Sequence, residues 1–277
     1  MHSTFRNQQG MALHVAHWPV EQPRAVIALV HGQGEHIGRY EHVARWYNRQ
    51  GFAFIGFDQQ GYGRSEGKRG HADNTEVLLH DIHQFVELAK AQYPGLPFFL
   101  YGHSMGGGLA LAYLIQYKPE LTGAIIGSPW IQLAFQPPKL KVVGGRWLRK
   151  ILPTLTLPNG LAVHFISRDH ATVEAYKADP LVHNKLSAAA GIALLETFNA
   201  VHQWSGEFHF PILLMHGEAD KITSHAATRA FAERLQGDVT FKLWPGLYHE
   251  LHNEPERTQI FEFTLAWCTA KLIAQPV

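Results

Sequence analysis

Phe98-Phe99-Leu100-Tyr101-Gly102-His103-Ser104-Met105-Gly106-Gly107 is the stretch on which the fold turns. An apolar run of strand type passes through Gly102, Ser104 and Gly106 into a helical pattern over residues 105–117. The G-x-S-x-G spacing takes the chain from strand to helix within a few residues, and a side chain at either glycine would clash in that turn. The strain presents Ser104 Oγ at the carboxyl end of a sheet. The helix N-terminus beneath it offers unpaired N–H groups to a developing oxyanion. Ser104 is therefore the expected nucleophile.

Working outward, short apolar runs alternate with longer helical patterns. Strand-like runs cover residues 25–30, 53–57, 98–101, 123–126 and 212–215. Helical patterns cover residues 40–50, 74–93, 105–117, 224–235 and 255–272. Strands separated by helices imply right-handed crossovers, hence an α/β fold with a mostly parallel sheet and helices on both faces. Residues 13–18 alternate less cleanly and read as an antiparallel edge strand. The regularity fails after Pro129, where Pro137-Pro138, Gly144-Gly145, Pro158-Asn159-Gly160 and Asp179-Pro180 interrupt helical pieces at 140–151 and 187–201. The expected organisation is a core over residues 1–130, an inserted cap over 131–207, and the rest of the core over 208–277.

The 277 residues, 46% of them hydrophobic, suffice for one α/β core plus an insertion. A net charge of +1 gives no reason to expect a nucleic-acid partner. The lone cysteine, Cys268, lies in an apolar helical run and reads as a small buried hydrophobe. The first ten residues hold no apolar stretch of signal-peptide type, and no run is long enough to span a bilayer. The expectation is a soluble cytoplasmic protein. His80 and His83 share a helix face without a third ligand, so neither a metal nor another cofactor is expected. Gly61-Tyr62-Gly63-Arg64-Ser65 lacks the lysine and spacing of a phosphate loop and reads as a turn.

The nucleophile needs partners. Leu29-Val30-His31-Gly32-Gln33-Gly34-Glu35-His36 supplies a loop after an early strand, and the N–H groups of Gln33 and Met105 are the expected oxyanion hole. In this fold the acid and then the base follow the serine. The strand at 211–217 ends in a loop with two acids, Glu218 and Asp220. The additional loop length favours Asp220, whose carboxylate can turn back toward the base. Phe241-Lys242-Leu243-Trp244-Pro245-Gly246-Leu247-Tyr248-His249 is a further strand, turn and histidine, which places His249 as the base.

These residues resemble the monoacylglycerol lipases. The resemblance is carried by His31-Gly32-Gln33-Gly34-Glu35-His36-Ile37-Gly38-Arg39-Tyr40, by Gly102-His103-Ser104-Met105-Gly106-Gly107 and by Tyr248-His249-Glu250-Leu251-His252. It continues through Leu152-Pro153-Thr154-Leu155-Thr156-Leu157, Ile166-Ser167-Arg168-Asp169 and Tyr176-Lys177-Ala178-Asp179-Pro180-Leu181 in the cap. It implies the α/β-hydrolase fold and an esterase releasing a fatty acid and glycerol from a monoacylglycerol. It further implies that Glu35, Arg39 and His252 line a polar pocket for the glycerol end. An ion pair between Glu35 and Arg39 that holds the oxyanion loop is the competing role for those two. The sequence departs from the family at Gln33, where relatives carry a small residue, and at Asp58-Gln59-Gln60-Gly61-Tyr62-Gly63. A lysophospholipase or general carboxylesterase is the alternative activity. An epoxide hydrolase or dehalogenase would carry aspartate at Ser104.

Residues 138–152 mix basic and large apolar side chains. On a helical wheel Leu140, Val143, Trp147 and Ile151 form one stripe, with Lys141, Arg149 and Lys150 largely away from it. Peripheral membrane contact through the cap is expected from this pattern, with inward packing of the stripe as the alternative and Gly144-Gly145 as a point where the helix could divide. The oligomeric state is not set by any of these features.

Overall fold

Residues 25–30, 52–57, 98–103, 123–127 and 212–217 are apolar almost throughout, and such runs are stable as strands only when both faces of the sheet are covered. They form β3 to β6 and β9 in a computed structural model that describes residues 1–273, the side chain of Lys141 excepted. In chain order the elements are β1 (His2–Arg6), β2 (Ala12–Trp18), β3 (Ala25–Val30), α1 (Glu41–Arg49), β4 (Phe52–Phe57), α2 (Thr75–Gln92), β5 (Phe98–His103), α3 (Met105–Tyr117) and β6 (Gly123–Gly127). Between β6 and β9 the chain holds α4 (Lys139–Ile151), β7 (Thr156–Pro158), α5 (His170–Ala178), β8 (Lys185–Ser187) and α6 (Ala188–Gln203). The chain returns with β9 (Ile212–Gly217), α7 (His225–Arg234), β10 (Val239–Trp244) and α8 (Arg257–Ile273).

The main sheet runs β1-β2-β4-β3-β5-β6-β9-β10. From β4 to β10 neighbouring strands are parallel. β2 pairs antiparallel with β4, as residues 13–18 predict, but it is not the edge. That place belongs to β1, whose His-Ser-Thr-Phe-Arg sequence has little apolar signal and is ordered by backbone pairing with β2. Helices α2, α3, α6 and α7 cover one face of the sheet, and α1 and α8 cover the other. Cys268 is fully buried in the second layer. Residues 274–277, the end of the expected second core segment, lie outside the described residues.

The stretch between β6 and β9 is not uniformly separate from this core. Ala190, Leu194, Phe198 and Val201 of α6 pack into the same cluster as α3. Helix α4 is continuous across Gly144-Gly145. The second glycine faces α6, where an added Cβ would stand 3.1 Å from Ile192 Cδ1. Gly145 thus permits a close helix–helix approach instead of breaking the helix. α5 and the β7–β8 pair are too short to show a period in sequence. α5 is held by Asp169, whose side chain accepts the Ala171 N–H, and by packing of Val173 and Tyr176 with Ile166 and Ile222.

Candidate active site

Ser104 sits between β5 and α3 with φ 55° and ψ −120°, a conformation that costs a non-glycine residue about 1–3 kcal/mol. The surroundings hold it there. Its N–H donates to Gly127 O at 3.1 Å, and its carbonyl accepts from Trp130 N at 2.8 Å and Gly108 N at 3.0 Å. The flanking glycines are required by contact. A Cβ on Gly102 would lie 2.7 Å from Gly106 O, and one on Gly106 only 2.2 Å from Val30 O. The turn is therefore packed directly against the loop that follows β3.

His249 Nε2 is 2.8 Å from Ser104 Oγ, and His249 Nδ1 is 2.7 Å from Asp220 Oδ2. An ionised carboxylate only accepts, so Nδ1 carries the proton and Nε2 is free to accept the serine hydroxyl. Burial disfavours the charged form of His249, but the Asp220 carboxylate outweighs it and raises the imidazole above its ordinary value. Burial would likewise raise Asp220. His249 first, and His216 with it, hold that carboxyl well below the usual range. Five donors converge on Asp220: Ile222 N and Thr223 N on Oδ1, and His249, His216 and Thr223 Oγ1 on Oδ2. Glu218, the other acid of the loop, is exposed and among the described residues its side chain accepts only from Gly246 N at 3.3 Å.

The N–H groups of Gln33 and Met105 have no acceptor among the described residues. Gln33 lines the cavity, and its side chain is held from outside the oxyanion loop. It reaches the stretch between β6 and β9, where Oε1 accepts from Asn159 Nδ2 at 2.5 Å and Nε2 donates to Lys185 O at 3.2 Å. Behind Gly32 the loop is fixed by Glu35. Its Oε1 accepts from Gly32 N at 2.6 Å and Tyr40 Oη at 2.7 Å, and its Oε2 accepts from Arg39 Nη1 at 2.6 Å. Arg39 also grips Glu250 with two bonds of 2.7 Å. Burial opposes ionisation of Glu35, yet Arg39 lowers its carboxyl to about 2.

A cavity opens above Ser104. Gln33, Glu35, His103 and Glu250 contribute its polar wall, and Leu133, Phe135, Leu161, Ile166, Leu186 and Ile222 much of the apolar one. Glu35 thus reaches the cavity, whereas Arg39 and His252 stand behind its wall. His252 is fully buried, stacked on Tyr40 at 4.5 Å and edge-on to His103 at 4.8 Å. The sequence reading missed Glu250, His103 and His216. Glu250 and His103 adjoin the base and the nucleophile and His216 lies in the strand over residues 211–217, but nothing in local spacing marks the long-range partner of any of them. His80 and His83 lie edge-on to each other with ring centroids 6.3 Å apart; the first also meets Gln8 Nε2 at 2.5 Å and the second packs on Tyr117 at 4.8 Å.

The family described as serine aminopeptidase, S33 matches residues 21–256. The chain is 35% identical over 256 residues to a monoacylglycerol lipase of Mycolicibacterium smegmatis, covering 92% of this chain and 91% of that protein. It is 37% identical over 257 residues to an abhydrolase domain-containing protein of Dictyostelium discoideum, of which it spans only 27%. Among solved structures, the monoacylglycerol lipase of Paleococcus ferrophilus superposes with a TM-score of 0.86 at 32% identity, covering 94% of this chain and 99% of that one. The family match encloses the turn at Ser104, the loop after β3, Asp220 and His249, and on that ground the chain belongs to the serine aminopeptidase, S33 family and has the α/β-hydrolase fold.

Proposed function

We propose that this protein hydrolyses monoacylglycerols to a fatty acid and glycerol through an acyl-enzyme on Ser104. The observation that carries the reading is the unbroken hydrogen-bonded chain Ser104–His249–Asp220 at the floor of a mainly apolar cavity. In this mechanism Ser104 Oγ attacks the ester carbonyl as His249 Nε2 takes its proton. The developing oxyanion is met by the unengaged N–H groups of Gln33 and Met105, each worth about 3–4 kcal/mol of barrier. His249 returns the proton to the departing glycerol oxygen, and then activates a water against the acyl-enzyme. Asp220 stays ionised and orients the imidazole throughout.

The similarity to monoacylglycerol lipases supports the substrate class. Apolar side chains suit the acyl chain, and Glu35 and Glu250 at the wall suit a diol. Arg39 and His252 act on the glycerol end through Glu35, Glu250 and His103, since both lie behind them. A panel of monoacyl-, diacyl- and triacylglycerols with lysophospholipids tests this. Monoacylglycerol turnover should exceed the rest, and triacylglycerol turnover equal to it would overturn the reading. Faster turnover of lysophospholipid would favour the lysophospholipase alternative.

Residues 131–207 act in this reading as the cap, and α4 as its membrane contact. Leu140, Trp147 and Ile151 are 84%, 65% and 68% exposed, with Val143 beside them. A helix that leaves its apolar stripe in solvent, with basic residues along it, suits an interfacial position. Arg149 is partly engaged by Glu196 at 2.8 Å, and Lys150 lies over the Trp147 ring. The side chain of Lys141 lies outside the described residues. No helix among the described residues is long and apolar enough to cross a membrane.

A further inference from the structure

The carboxylate that orients His249 is shared with a second histidine. We propose that His216 is a positioning residue for the acid–base pair, its Nε2–H donated to Asp220 Oδ2 at 3.1 Å holding the carboxylate on which His249 depends. The inference rests on the esterase reading of Ser104, Asp220 and His249.

His216 is the fifth residue of β9 and is fully buried. Burying an imidazole there costs free energy unless both nitrogens are used. Both are. Nδ1 lies 2.9 Å from the Thr228 hydroxyl on α7, and Nε2 faces the Asp220 carboxylate. Because the carboxylate can only accept, Nε2 carries the proton, and the Thr228 hydroxyl donates to Nδ1. Burial favours the neutral ring, which that tautomer requires. The result is a line of donors from α7 through His216 to Asp220, and from His249 onto the same oxygen.

This second donor has two consequences. It resists rotation of a carboxylate that must keep one lone pair on His249. It also favours the ionised carboxylate and so lowers its basicity, because hydrogen bonds to the charged form stabilise that form. A less basic Asp220 raises His249 by less, which keeps the base unprotonated at lower pH. The other groups facing His249 are Glu35, Glu250, His103, His252 and, behind them, Arg39, and none of these touches Asp220.

Two variants separate this role from packing. His216→Leu keeps apolar volume and removes the donor, while Thr228 keeps Ser224 O as an acceptor at 3.3 Å. His216→Gln returns an N–H at similar reach. With a soluble aryl ester, His216→Leu should lower kcat about tenfold. Its acid limb of kcat/KM should move up by roughly one pH unit. His216→Gln should restore both toward the parent. A readout without substrate is histidine nitrogen NMR of the unaltered protein and of both variants. His216 should be neutral with its proton on Nε2, and the His249 midpoint should rise in His216→Leu. A folded His216→Leu with unchanged kcat, acid limb and His249 midpoint would overturn the proposal. So would a proton on Nδ1 of His216 in the parent, a result that stands even where His216→Leu fails to fold. If no ester is turned over, the esterase reading fails while the NMR arm still decides the hydrogen-bond arrangement.

Discussion

The floor beneath Ser104 and the helix α4 differ in what they leave unpaired. In the floor, Glu35, Arg39, Glu250, Asp220 and His249 are all buried or nearly so, and each has a partner within 3 Å. In α4, Leu140, Val143, Trp147 and Ile151 face water without apolar cover. Next to it, α6 turns a comparable set of apolar residues into the core. A buried charge without a partner is far costlier than an exposed leucine, so the floor tolerates little change and the helix tolerates much. The contrast predicts where substitutions cost chemistry and where they cost only location.

Under the proposed mechanism the largest effect belongs to Ser104, His249 and Asp220. Ser104→Ala and His249→Ala should each lower kcat on the order of 10⁶-fold without unfolding the protein, and Asp220→Asn on the order of 10⁴-fold. Covalent labelling by a fluorophosphonate should be confined to Ser104, and labelling elsewhere would contradict the floor's assignment. The base must be neutral to act, and Asp220 raises His249. Activity is therefore present above the His249 pKa and lost as pH falls through it, with an acid limb above about pH 6.5. A limb well below that value would mean that the pair does not operate as arranged.

Next comes the ion-pair support. Arg39→Ala leaves Glu35 and Glu250 buried without their cation and should destabilise the fold by about 3–5 kcal/mol, read by denaturant melts. A loss below 1 kcal/mol would show that water replaces the guanidinium. The contrast is sharpened by a buried carboxylate outside the floor. Among the described residues the Asp81 side chain on α2 meets only Asn7 Nδ2 at 3.3 Å, and burial pushes it up to about 7. Its raised value means that the folded state holds the proton more tightly than the unfolded state. The stability it permits is therefore present at acidic pH and declines as pH rises from about 4 to about 7. Asp81→Asn should flatten that decline and melt later at pH 8, with little change at pH 4. Equal effects at both pH values would count against it.

The smallest effect on chemistry should come from α4. Trp147→Ala and Arg149→Glu should leave soluble aryl-ester hydrolysis near the parent rate. They should weaken co-sedimentation of the Ser104→Ala protein with anionic vesicles by about 1 kcal/mol for each charge removed, most visibly at low salt. Vesicle binding indifferent to both substitutions would make α4 an ordinary outer helix and erase the contrast with the floor.

The sheet, most of its helices, the strained serine turn and the meeting of Asp220 rather than Glu218 with His249 were legible in the amino-acid sequence. Strand and helix periods are local, and a glycine two residues either side of Ser104 states a backbone requirement on the spot. Residues 13–18 read as a strand for the same reason, yet their interior place was hidden because β1 has almost no apolar signal. Three matters were decided by tertiary structure alone. Arg39 meets Glu250 across 211 residues of chain. His216 and His249 share one carboxylate oxygen. The apolar stripe of α4 points outward while that of α6 points in. A periodic stripe says that one face of a helix is apolar, but only the strand order and the packing of neighbouring helices determine what that face meets. A charged side chain likewise carries no sign of its partner until crossovers of the sheet bring the two together.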